Sequence, residues 1–136
     1  MSHQALLKVA LAVFGAAFLL IYPLSIVWPS GWAWHAGAPQ DSQYFMMIVG
    51  VYATLGAFLL MATRNPQEHR SLIWFAVWSS VIHGAIMAVQ SMPAEHRWHL
   101  MGDVPALFLV AIVLGGLLVW SDPGKGKTAS VQSPAR

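Results

Sequence analysis

Ser71–Ser91, SLIWFAVWSSVIHGAIMAVQS, is long enough to cross a bilayer and carries no charge, yet it is not uniformly apolar. Ala76, Ser80, Gly84 and Ala88 recur every fourth residue and form a ridge of small side chains. Ser79, His83 and Gln90 lie beside that ridge at helical offsets of four and seven. The opposite side carries Phe75, Trp78, Ile82, Ala85, Ile86 and Val89. On one helix this predicts a lipid face and a packed, partly polar inner face.

Three further apolar segments bring the fold class into view. Only 9% of the 136 residues are Asp, Glu, Lys or Arg, against 57% hydrophobic. A soluble domain carries about 25% charged residues, so polar surface is too scarce here for a water-soluble fold. The expectation is an all-α integral membrane protein, a four-helix antiparallel bundle over residues 1–120. Its helices are expected at about 4–28, 44–63, 66–91 and 103–120, followed by a disordered cytoplasmic tail, 121–136. With no cysteine in the chain, disulfides, thiolate chemistry and Cys-ligated metals are excluded. The net charge of +2 sits in tails and loops and forms no nucleic-acid patch.

Segment one contains Pro23, which removes the amide that would bond to Leu19, so a kink near Leu19–Pro23 is expected. A signal peptide with a cleavage site at Ala36-Gly37-Ala38 is the competing reading; the apolar stretch is too long and too aromatic for it. The loop PSGWAWHAGAPQDSQ follows, with Trp32 and Trp34 suited to the membrane–water boundary. Segment two has Asp41 or Ser42 as cap and a small face of Gly50, Ala53, Gly56 and Ala57. Arg64-Asn65-Pro66 predicts a sharp stop and restart, with Asn65 capping the next helix and Glu68 completing a capping box. Segments two and three are therefore expected to form a tight antiparallel hairpin. Segment four starts at a capping Asp103 and has Ala111, Gly115 and Gly116 as its small face.

Basic residues orient the chain. Lys8, Arg64, Arg70, Lys125, Lys127 and Arg136 fall on one side and Arg97 alone on the other. The positive-inside rule then places both termini in the cytoplasm of a bacterial inner membrane.

Tyr22-Pro23-Leu24, Tyr52-Ala53-Thr54-Leu55-Gly56, Arg64-Asn65-Pro66, His69-Arg70-Ser71-Leu72, and Trp78-Ser79-Ser80 with His83, Met87 and Gln90 resemble a family of small bacterial four-helix membrane proteins of unknown function, the DUF6632-like domains. The resemblance covers about the first 90 residues. It implies a four-helix membrane fold and no activity.

Chemistry has two places to live. At a rise of about 1.5 Å per residue, His83 lies roughly 12 Å below the outer end of its segment. Tyr52 reaches a similar depth and Tyr22 a slightly shallower one. Tyr22, Tyr52, His83 and Gln90, with Ser79 alongside, are thus expected around one outward-opening polar pocket. The plainer assignment makes His83 a neutral, hydrogen-bonded tie between helices. A small-molecule or lipid-headgroup pocket, a proton relay, and metal or haem ligation are the others. The second place is His96, His99 and Asp103, with His35 in the facing loop. These are ordinary zinc or copper ligands, set against a solvated loop with Asp103 as a cap.

No nucleophile–base pair, phosphate loop or paired carboxylate is present. The functional expectation is a non-catalytic accessory or self-associating subunit, a homo-oligomer or part of a larger membrane complex in contact with lipid and not with nucleic acid. The alternative is a binding or transport module built on the outward pocket.

Overall fold

Among the described residues, five α-helices and short 3-10 turns make up the fold, and no strand occurs. The computed structural model describes residues 2–32 and 37–121, with the side chains of 94–96 outside that description. The tail expected beyond 121 and the loop residues Trp34, His35 and Ala36 fall outside the described residues.

Helix α1 (His3–Leu19) is capped by Ser2, whose Oγ accepts from the Ala5 amide at 3.3 Å. It breaks at Leu20, and α2 (Ile21–Val27) leaves at 51°. Pro23 explains the break: it offers no amide to the preceding turn, and its ring pushes against the carbonyl of Leu19. Ser25, fully buried, donates to the Tyr22 carbonyl at 2.7 Å.

Helix α3 (Gln43–Ala62) is capped by Ser42, which accepts from the Phe45 amide. Helix α4 (Arg70–Gln90) begins four residues later than the expected start at 66. Asn65 does not cap it. Residues 66–69 form a turn in which Glu68 and His69 donate to the Asn65 and Pro66 carbonyls. A tertiary tie takes precedence over the local capping box. The Gln67 amide donates to both the carbonyl and hydroxyl of Ser121 at 3.2 Å, and Arg70 donates to Gln67 Oε1 at 2.9 Å. Helix α5 (Asp103–Trp120) has Gly102, not Asp103, at its N-cap. Asp103 sits inside the first turn, where an acid meets the positive end of the helix.

The Gln67–Ser121 bonds and the contact of the His3 and Trp120 rings, 6.1 Å apart, bring the start of α1, the 63–69 turn and the end of α5 to one end of the molecule.

Packing follows the glycines. A Cβ added to Gly56 would stand 2.6 Å from the Gly15 carbonyl oxygen, and one added to Gly15 would stand 2.9 Å from that of Gly56. Helices α1 and α3 therefore touch backbone to backbone. Helices α4 and α5 pair through side chains seated on glycines instead: Gly84 lies beneath Leu107 and Phe108, and Gly115 against Val77. α1 also packs on α5, and Leu7, Leu11, Leu59, Ile73, Leu114 and Leu118 fill the shared core.

The expected tight hairpin of α3 and α4 does not form. These helices meet only sparsely: Gly56 of the small face of α3 is taken by α1, and Gly50 has no neighbour within 4 Å. The order around the molecule is α3, α1, α5, α4, with a loose seam between the first and the last.

On α4, Ala76, Ser80 and Gly84 are buried and Ala88 half-buried, while Phe75, Trp78, Ile82, Ile86 and Val89 are more than half exposed. Helix α3, helix α4 and the span ending in α5 are each long and apolar enough to cross a bilayer, and the bent α1–α2 pair makes a fourth if it is one span. Large apolar side chains outside and a tight interior suit a lipid environment rather than water.

Candidate functional site

Among the described residues, a side-chain hydrogen bond bridges the loose seam. Tyr52 on α3 and His83 on α4 stand with Oη and Nδ1 3.0 Å apart, ring centroids separated by 5.7 Å. With the imidazole proton on Nε2, the tyrosine hydroxyl donates to Nδ1; with the other tautomer, Nδ1–H donates to the hydroxyl oxygen. Phe18 of α1, buried, meets the Tyr52 ring edge-on at 4.9 Å. Three helices thus converge on the phenol ring, and Phe18 fixes the direction in which its hydroxyl points.

The other residues expected in this pocket are placed elsewhere. Tyr22 follows the bend at Leu20 and is 40% exposed, and its side chain forms no hydrogen bond among the described residues. Gln90 is exposed at the end of α4. Ser79 turns to its own helix and donates to the Ala76 carbonyl at 3.1 Å. The hydroxyls of Ser25, Ser91 and Ser121 likewise donate to carbonyls three or four residues earlier.

At the other end of α4, His99 Nδ1–H donates to Asp103 Oδ2 at 2.9 Å, across one turn. Asp103 Oδ1 accepts from the Val104 amide at 3.2 Å. Asp103 thus ties His99 to the first turn of α5. Of the other expected metal ligands, His35 and the His96 side chain lie outside the described residues. Among the described residues no group of three or more metal-ligating side chains comes together.

Sequence reasoning passed over Phe18 and Gln67. The run Gly15-Ala16-Ala17 just before Phe18 was the visible sign of a close helix contact. Gln67 carried no comparable signal, because its partner Ser121 is 54 residues away.

The DUF6632 family model, which describes a family of unknown function, matches residues 1–132. The chain belongs to this family. The match runs well past the 90 residues on which the resemblance rests and takes in α5 and both outer histidines of the 93–102 connection. No curated protein and no solved structure matches the chain.

Proposed function

We propose that this DUF6632 protein is a non-catalytic subunit of the bacterial inner membrane. In this reading residues 1–120 form a four-span antiparallel bundle, with α1 and α2 as one broken span. Both termini, and the tail 121–136, are cytoplasmic. The subunit associates laterally, with further copies of itself or within a larger membrane complex.

One observation carries the association. Gly15, Gly56, Gly84 and Gly115 each have a close neighbour inside the molecule, whereas a Cβ at Gly116 would meet nothing within 4 Å. Gly116 lies on an outer face of α5 with Leu109, Ile112 and Trp120, and Ile112 is 72% exposed. A bare glycine between bulky apolar side chains lets a second helix approach closely in lipid. The orientation is supported by Lys8, Arg64 and Arg70 near the end shared by the start of α1 and the 63–69 turn.

Because the chain has no cysteine, single-cysteine crosslinking is clean. Ile112→Cys in native membranes is expected to give a disulfide-linked dimer, or a crosslink to a partner, at least about fivefold faster than Val13→Cys on the outer side of α1. Equal rates at the two positions sink the reading.

A second reading, an outward-facing binding or transport module, draws on the Tyr52–His83 pair at the loose seam. It is separated from the first by His83→Ala. A structural tie predicts reduced thermal stability and no change in what copurifies. A binding site predicts retained folding with loss of a bound small molecule, metal or haem, read by mass spectrometry and absorption.

A further inference from the structure

The loose seam between α3 and α4 encloses an apolar furrow of about 630 Å³, lined by Met47, Gly50, Thr54 and Phe58 of α3 and by Leu72 and Phe75 of α4. Gly50 is its bare floor: a Cβ there would meet nothing within 4 Å. Thr54 adds no free polar group, because its hydroxyl donates to the Gly50 carbonyl at 2.9 Å. We propose that this furrow holds one acyl chain of an anionic phospholipid, whose headgroup sits at the 63–70 turn.

Size and charge favour this occupant. From Met47 to Phe58 the furrow follows α3 for about 16 Å at 1.5 Å per residue. Half of a hydrocarbon core about 30 Å thick is about 15 Å, the depth reached by the chain of a lipid in one leaflet. A helix of that length and about 10 Å diameter would occupy about 1,250 Å³, twice the furrow, so a second copy would seat only in part. At the open end Phe58 precedes Arg64 by six residues and Leu72 follows Arg70 by two. The charged groups of this turn are Arg64, Glu68 and Arg70, a net positive set, with His69 beside them. Cations at a membrane surface attract anionic headgroups. The proposal rests on α3 and α4 being membrane spans with the 63–70 turn at the lipid surface.

Full-length protein in nanodiscs of equal parts phosphatidylglycerol and phosphatidylcholine, released for native mass spectrometry, tests it. The expected result is one retained phosphatidylglycerol per chain. Gly50→Leu and Thr54→Leu, which fill the furrow, are each expected to reduce that adduct at least about fivefold with unchanged helicity. Gly116→Leu is expected to keep it. Arg64→Gln is expected to retain a lipid but to lose most of the preference for phosphatidylglycerol. Retention by both furrow variants at the original level overturns the acyl site. Equal retention of both lipids by the original chain overturns the headgroup assignment. A lipid-free dimer that Gly50→Leu dissociates gives the furrow to a second copy and overturns the proposal. Failure to enter nanodiscs is a separate result: it removes the membrane reading itself.

Discussion

Gly56→Ala is expected to lower the stability of the protein in detergent by about 1–3 kcal/mol, although alanine is the better helix former by about 1 kcal/mol. The added methyl would stand 2.6 Å from the Gly15 carbonyl oxygen, 3.1 Å from Phe18 Cβ and 3.2 Å from the Leu19 amide nitrogen. Two of these obstacles are backbone atoms of a packed helix, which cannot swing aside as a side-chain tip can. Relief requires α1 and α3 to separate, and separation also lifts Phe18 from the edge of Tyr52. Gly50→Ala on the same helix is the matched control. It meets nothing within 4 Å and is expected to be neutral or to gain up to about 1 kcal/mol. Thermal or denaturant unfolding of the two variants reads the difference, and a shift of the same sign and size in both would rule out backbone contact as the cause.

The Tyr52–His83 bond is expected to show a coupling of about 0.6–1.7 kcal/mol in a double-mutant cycle of Tyr52→Phe and His83→Ala. Within a bilayer the separated helices are already in hydrocarbon, so burial contributes little and packing and hydrogen bonds hold helices together. Around this bridge α3 and α4 touch sparsely, and few other contacts can compensate for it. His83→Ala alone is expected to be the more damaging single change, because it leaves the tyrosine hydroxyl half-buried without its partner, at about 1–3 kcal/mol. Tyr52→Phe removes the hydroxyl but keeps the ring under Phe18, and is expected to lose less. Strictly additive effects of the two substitutions would mean that the 3.0 Å contact contributes nothing to stability.

The two faces of α4 were legible because small and bulky residues alternate at helical spacing within one element, and lipid and protein neighbours select for those sizes directly. The break in the first span was legible for a similarly local reason, the missing amide of Pro23. Capping was legible to within one residue at Asp41 or Ser42, of which Ser42 is the cap, and was misplaced at Asp103 and at Asn65, where Gln67 and Arg70 are drawn to the end of α5. The same distinction runs through the candidate site. Counting residues from the helix ends puts Tyr52 and His83 at one depth, and they meet. The count also puts Tyr22 near them, but a 51° bend redirects everything after Leu20 and leaves that side chain 40% exposed.

Sequence alone determined that this chain is helical, that its helices are long and apolar enough for a bilayer, and which side of α4 faces protein. Each of these depends on the size and polarity of residues a few positions apart. Only the tertiary structure decided which helices are partners. Glycine notches stand on α1, α3, α4 and α5 alike, and any two could in principle be brought together. The close pairing of Gly15 with Gly56 commits that part of α3 to α1, while Gly50 stays open beside α4. The result is a loose seam between α3 and α4, crossed among the described residues by the Tyr52–His83 bond, with the furrow beside it.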